Sequence, residues 1–362
     1  MPSAQPPPRT VRTVLFGNSF ATRVQLPGLR WAGGNEVVGI AGHNPAKARA
    51  TADEFGIGVA TGDWRELLEL KPDLVLVTTP VDLHCSMVTE ALASGAAVLC
   101  EKPFAMNVSE AQAMASAAEG KLAWVDHELR WSPFVRELRQ RVQSGQCGVP
   151  WMATFEINLP PAGGLTRPWS WWFDANRGGG IFGAIGSHII DMLRWILGDV
   201  AEVRASMRPI TQERKDKNGN RHSVSADEVA SVELRHVSGV HSELRTSAVL
   251  HSDRPFRLQV EGPGGCLRLD GEVDLSSAGP GEELQPLSLD AEFPTCKELG
   301  LPEYGPFGRS FPLFARDVIQ AVAAGNPELP GAATFQDGLA VQKVLDAARR
   351  SSAGNAGWET CQ

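Results

Sequence analysis

A chain of 362 residues exceeds what one hydrophobic core ordinarily organises, so two domains are expected. Its 43% hydrophobic and 21% charged content is that of a folded globular protein, and a net charge of −8 argues against nucleic acid or an anionic membrane as a partner. The longest apolar runs, Val75-Leu76-Val77 and Ala96 to Cys100, are strand-sized and far short of a membrane span.

Residues 1–10 (MPSAQPPPRT) lack the apolar stretch of a secretory signal and read as a flexible lead-in, as does the tail over 351–362. From Val11 onward short apolar runs alternate with helical patterns. Strands are predicted over Val11–Phe16, Val37–Ala41, Leu74–Thr78, Ala96–Leu99 and Leu122–Val125. Helices are predicted over Val24–Trp31, Ala46–Phe55, Trp64–Leu70, His84–Ser94 and Ser109–Ala118. Fully apolar strands alternating with helices imply a parallel sheet covered on both faces, which is an α/β fold of the Rossmann type over residues 11–130.

After Pro133 the rhythm changes. A helix is expected over Phe134–Val142, followed by longer alternating strands at Trp151–Asn158, Ala201–Arg208, Val229–His236, His241–His251, Phe256–Glu261 and Cys266–Leu269. Ile181–Leu197 is the clear helix among them, Glu213–Arg221 is a charged hairpin turn, and helices close the chain at Phe311–Ala324 and Thr334–Arg350. Residues 131–350 thus form an α+β domain on a large, mostly antiparallel open sheet, with the last helices packing back.

A dinucleotide-binding turn uses glycines for a tight bend and for close approach of the pyrophosphate to the backbone. Here it is Gly17-Asn18-Ser19-Phe20-Ala21-Thr22, directly after the first strand and opening a helix, with only the first glycine kept. Gly17, Asn18, Ser19, Phe20 and Ala21 are therefore candidate cofactor contacts. The second strand normally ends in an acid that bonds the adenosine ribose. This chain has Ala41-Gly42-His43-Asn44, which removes the charge that would repel a 2′-phosphate, so His43 and Asn44 favour NADP over NAD. Six scattered cysteines form no C-x-x-C pair, and no histidine cluster stands at metal spacing. A cytoplasmic protein without a metal site is expected.

Three further segments define a resemblance. Thr78-Thr79-Pro80-Val81-Asp82-Leu83-His84 follows the third predicted strand, Cys100-Glu101-Lys102-Pro103 follows the fourth, and Gly178-Gly179-Gly180 leads into Gly186-Ser187-His188-Ile189-Ile190-Asp191. This set resembles the glucose-fructose oxidoreductase / inositol dehydrogenase (Gfo/Idh/MocA) family from Val11 to about Arg350. The resemblance implies hydride transfer between a nicotinamide and a carbon of a sugar, polyol or related carbonyl. It implies Lys102 and His188 as catalytic residues, and Thr79, Pro80, His84, Glu101, Lys102 and Glu128 beside the dinucleotide. It also implies a small sugar-like substrate and a homodimer or homotetramer. Arg130, Trp172 and Asp191 are candidate substrate contacts; an interdomain salt bridge is an equal alternative for Glu128 and Arg130, a capping or orienting role is favoured for Asp191, and Trp172 is expected to be the solvated tryptophan of Trp169, Trp171 and Trp172. Two departures stand out: Ala184 occupies the place of an aspartate common four residues before the histidine, and Val81 that of an asparagine. Ala184 favours the alternative reading, a dinucleotide-binding regulator or scaffold that has lost turnover.

Overall fold

The computed structural model describes residues 9–159, 165–249, 256–301 and 306–361. Most of the lead-in, and the end of the strand expected to reach His251, lie outside the described residues. Six parallel strands, β1 (Val11–Phe16), β2 (Asn35–Ala41), β3 (Val59–Thr61), β4 (Leu74–Val77), β5 (Ala97–Cys100) and β6 (Ala123–Val125), lie in the order β6-β5-β4-β1-β2-β3. β4 and β5 are buried at every residue, as strands covered on both faces must be. The order reverses between β1 and β4, and the crevice beyond the carboxyl ends of those two strands is where open sheets of this kind hold ligands.

The second sheet has nine strands. β7 (Met152–Asn158), β8 (Val200–Arg208), β11 (Val229–His236), β12 (His241–Ser247), β13 (Phe256–Gly262), β14 (Gly265–Asp270), β15 (Asp274–Ala278), β16 (Gln285–Pro286) and β18 (Glu359–Thr360) lie in the order β16-β15-β14-β13-β7-β12-β11-β8-β18. Pairing is antiparallel except between β7 and β12. The short β9 (Glu213–Lys215) and β10 (Arg221–Ser223) make a separate hairpin around the charged turn. β17 (Ala333–Thr334) returns to the first sheet and pairs antiparallel with β6. Along β11 the inward residues Ala230, Val232 and Leu234 are buried while Ser231 between them is exposed, which is the period of a sheet with one covered face. Helices Ser187–Leu197 and Phe335–Ala353 supply the covering layer, sharing one core with Phe155, Leu244 and Leu258. The run Ala175–Leu197 is long and apolar enough to cross a membrane, but 83% of its most apolar stretch is buried within the fold.

Several boundaries differ from the sequence reading. Trp64–Leu70 is a tight 3₁₀ helix rather than an α-helix, opened by Asp63, whose carboxylate accepts from the Arg65 amide. β3 and β15 are too short or too polar to stand out by pattern. The tail is tied down: the last helix runs to Ala353, and β18 pairs with β8. Both helices that border the cleft begin with a wide π turn, Ala21–Gln25 and Phe182–Gly186. Such turns recur at functional sites because they free backbone carbonyls and shift side-chain direction.

Gly180 sets the start of the helical run that carries His188. Its φ is +115°, and a Cβ there would lie 2.3 Å from Asp227 Oδ1. Asp227 cannot move aside freely, because its carboxylate accepts from the Phe182 amide at 2.7 Å and so holds the start of the helix that carries His188. Gly180→Ala is expected to cost about 2–4 kcal/mol from backbone strain plus overpacking, measured by urea unfolding. A loss under about 0.5 kcal/mol would show that this approach is not constraining.

Candidate active site

The turn after β1 is shaped by one contact. Gly17 has φ +108°, and a Cβ there would sit 2.5 Å from the Thr78 carbonyl oxygen. Only glycine lets the ends of β1 and β4 approach so closely at the switch point. Asn18 is buried against Gly42, and its Nδ2 has no hydrogen-bond partner; Thr78 Oγ1 is in the same position. Orphaned buried polar atoms are rare unless a ligand or water completes them. Ser19 is exposed, Phe20 half-buried, and the buried Ala21 opens the helix. These residues fit a dinucleotide with its phosphates against the Gly17–Phe20 backbone. At the end of β2, His43 and Asn44 are both exposed, but the Asn44 Oδ1 caps the helix Pro45–Phe55 by accepting from the Lys47 amide at 3.0 Å.

Thr79 and Pro80 line the turn after β4, half-buried. His84 does not face the cleft. It is fully buried, with Nε2 3.0 Å from the Thr79 carbonyl and Nδ1 3.2 Å from the Phe104 carbonyl. Burial lowers its pKa, and the neutral ring, which donates to one of these two carbonyls, packs between the turns after β4 and β5 rather than touching cofactor.

Lys102 follows β5 and reaches across to the second half. Its Nζ donates to the Ala184 carbonyl at 2.9 Å, inside the π turn and one helical turn ahead of His188. His188 is 2% exposed, and its pKa is driven well below the ordinary histidine value, first by burial and then by the charges of Lys102 and His127. The His127 and His188 rings meet edge to face with centroids 5.6 Å apart. Burial likewise lowers His127, to about 4. Glu128 Oε2 lies 3.8 Å from His188 Nδ1. Beneath them, the buried Glu101 accepts from the Lys102 amide at 3.1 Å, and Gln25 Nε2 donates to both Glu101 Oε1 (3.0 Å) and Asp126 Oδ2 (3.3 Å). Burial raises the pKa of Glu101, Asp126 and Glu128, and Lys102 opposes the rise at Glu101 and Glu128.

Arg130 and Asp191 have a different role from the substrate contact expected of them. They form a buried two-pronged ion pair at 2.7 and 2.6 Å, with Asp337 a further 3.4 Å from the guanidinium. Their charged ends satisfy each other. Trp172 is buried at 8% exposure, edge to face with Phe173, so it is core. Trp169 and Trp171 are the half-exposed ones, and Trp169 stacks on His222 with centroids 4.3 Å apart.

The sequence reading missed three contributors. Gln25 and Asp126 complete the acid cluster, and the Ala184 carbonyl receives Lys102. A glutamine on the apolar face of the first helix, between Val24 and Leu26, was the available signal for Gln25.

Comparison with known proteins agrees with this architecture. Residues 11–127 match the oxidoreductase family with an NAD-binding Rossmann fold, and residues 135–268 match the Gfo/Idh/MocA C-terminal domain. The chain therefore belongs to the Gfo/Idh/MocA family of oxidoreductases. It is 28% identical to mouse glucose-fructose oxidoreductase domain-containing protein 2, over 96% of this chain and 92% of that one. It is 25% identical to levoglucosan dehydrogenase of Pseudarthrobacter phenanthrenivorans, over 87% of each chain. The solved structure of a levoglucosan dehydrogenase with NADH and L-sorbose superposes with a TM-score of 0.85 at 22% identity, covering 98% of this chain and 99% of that one.

The depressed pKa of His127 has a consequence for stability. Its folded value of about 4 lies below the ordinary 6.5, so the neutral ring favours the folded state above pH ~6.5, and this contribution is lost as pH falls toward 4. The difference in unfolding free energy between wild type and His127→Gln should therefore shrink by about 3 kcal/mol from pH 7.5 to pH 4, measured by urea titration. A pH-independent difference would contradict a buried neutral ring.

Proposed function

We propose that this oxidoreductase acts on a secondary hydroxyl, or the matching carbonyl, of a sugar or polyol. The observation that carries the reading is the placement of Lys102 Nζ one helical turn from His188, at the carboxyl edge of the dinucleotide sheet. A bound nicotinamide would supply the two-electron acceptor. The chain's own residues handle the proton. His188 is neutral throughout the neutral pH range, because burial and Lys102 disfavour its imidazolium, so it is ready to take the hydroxyl proton as general base. Lys102 polarises the same oxygen as negative charge develops on it. His127 Nδ1 is buried without a hydrogen-bond partner and suits a second hydroxyl beside the reacting one. The relative named levoglucosan dehydrogenase, and the neighbour solved with NADH and L-sorbose, support this substrate class.

NADP is favoured over NAD, since no carboxylate ends β2 and the exposed His43 stands at that position. The six free cysteines support a cytoplasmic setting. A homodimer or homotetramer would use the outer face of the nine-stranded sheet, the face left uncovered by the helices Ser187–Leu197 and Phe335–Ala353. A division between the two domains near residue 130 is supported by the change there from a parallel sheet to a mostly antiparallel one.

Two measurements test this reading. A panel of aldoses, ketoses and inositols with both cofactors should reveal turnover; His188→Ala should lower kcat/KM by about 10²–10⁴-fold with little change in dinucleotide affinity, and Lys102→Met should lower kcat/KM by a similar factor. A silent panel with intact cofactor binding would instead support the regulator reading that Ala184 suggests. Fluorescence titration should give a lower Kd for NADPH than for NADH, and an NADH Kd tenfold lower would reverse the cofactor preference.

A further inference from the structure

Position 184 offers no acid to the helix that carries His188, yet a carboxyl reaches that histidine from another part of the chain. Glu128 sits in the short 3₁₀ turn Glu128–Trp131 after β6 and is 3% exposed. Its Oε2 lies 3.8 Å from His188 Nδ1 and has no hydrogen-bond partner. A buried carboxyl oxygen left open beside an imidazole is costly unless the two exchange charge or a proton. We propose that Glu128 is the positioning carboxylate of His188: it holds the ring by Nδ1, turns Nε2 toward the substrate hydroxyl, and balances the imidazolium that forms there.

This inference rests on the reading of His188 as the proton acceptor. In the oxidising direction a bound nicotinamide would accept the hydride released as the carbinol C–H bond breaks. The O–H proton passes to His188 Nε2, the carbonyl forms, and the new positive charge on the ring is paired with the Glu128 carboxylate through Nδ1–H. The arrangement parallels the general logic of a base oriented by a third group. Glu128 must be ionised to play this part, because a protonated carboxyl would donate to Nδ1 and leave the proton on Nε2.

The surrounding groups decide when that happens. Glu128 faces Lys102 and Glu101 from the turn after β5, and Asp191 and His188 from the helix Ser187–Leu197; Asp126, His127 and Arg130 flank it in its own segment. Burial raises Glu128 well above the ordinary carboxylate range, while Lys102 works against that rise. His188 titrates on the other side, well below its ordinary value. Oxidation therefore gains rate as pH rises through the Glu128 value, and His188, already neutral there, cannot produce that limb.

The test has a structural arm that needs neither substrate nor cofactor. Nitrogen-15 NMR of the histidine-labelled full chain at alkaline pH should show His188 as the Nδ1–H tautomer. An Nε2–H tautomer in the wild type overturns the proposal directly. In Glu128→Gln, the His188 shifts should lose the titration step that follows Glu128, and retention of that step also overturns it. In the kinetic arm, Glu128→Gln should lower kcat for oxidation by about 100-fold and abolish the pH-dependent rise, with KM and dinucleotide Kd within about threefold. A merely structural role would move KM and Kd with kcat, and would leave the pH profile in place. If the NMR results hold while the sugar panel is silent, the pairing stands and the substrate reading fails.

Discussion

The charge of Lys102 among three buried carboxyls is the constraint on which the site depends. Glu101, Asp126 and Glu128 are each at most 7% exposed and lie within one segment-length of each other at the ends of β5 and β6. Like charges so buried would repel and shed solvent at great cost. The ammonium of Lys102 opposes that cost at Glu101 and Glu128, and Gln25 donates to Glu101 and to Asp126. Gln25 reaches them because the first helix opens with a π turn directly after the Gly17 bend. The dinucleotide turn and the acid cluster are thus joined through Gln25.

The second half delivers His188 by equally specific means. Arg130 belongs to the segment after β6, Asp191 to the helix of His188, and Asp337 to the last helix. One guanidinium joins three elements, on the residue three positions beyond His188. With Asp227 holding the start of the same helical run, the histidine is fixed at both ends relative to Lys102. Buried pairs of this type add little net stability, but removing one partner is severe, which suits a device for orientation.

Much of this was legible in the sequence, and the rest was hidden for physical reasons. The apolar strands β4 and β5 and the alternation of β11 announce themselves, since burial on two faces or one leaves a direct imprint on residue order. Glu101, Lys102 and His188 stood out through a resemblance rather than through periodicity. What the sequence withheld is pairing. A salt bridge for Arg130 is one reading of the sequence, but nothing in the letters names Asp191 as its partner or places His84 between two backbone carbonyls. The aromatic run points to Trp172 as the solvated member of its cluster, but its neighbours differ by a single position in a 3₁₀ turn, where one residue rotates a side chain by a third of a circle. Short strands such as β3 and β17 carry too few residues to show a period.

The proposed site requires a dinucleotide bound along Gly17, Thr78 and Lys102 to present its reactive ring to His188. The crystal structure of the chain with NADPH tests this most directly, and it needs no knowledge of the substrate. The account predicts the pyrophosphate against the Gly17–Phe20 backbone, with Asn18 Nδ2 and Thr78 Oγ1 acquiring partners, and the nicotinamide C4 facing the gap between Lys102 Nζ and His188 Nε2. A nicotinamide turned away from Lys102, or a pyrophosphate held elsewhere, would contradict it.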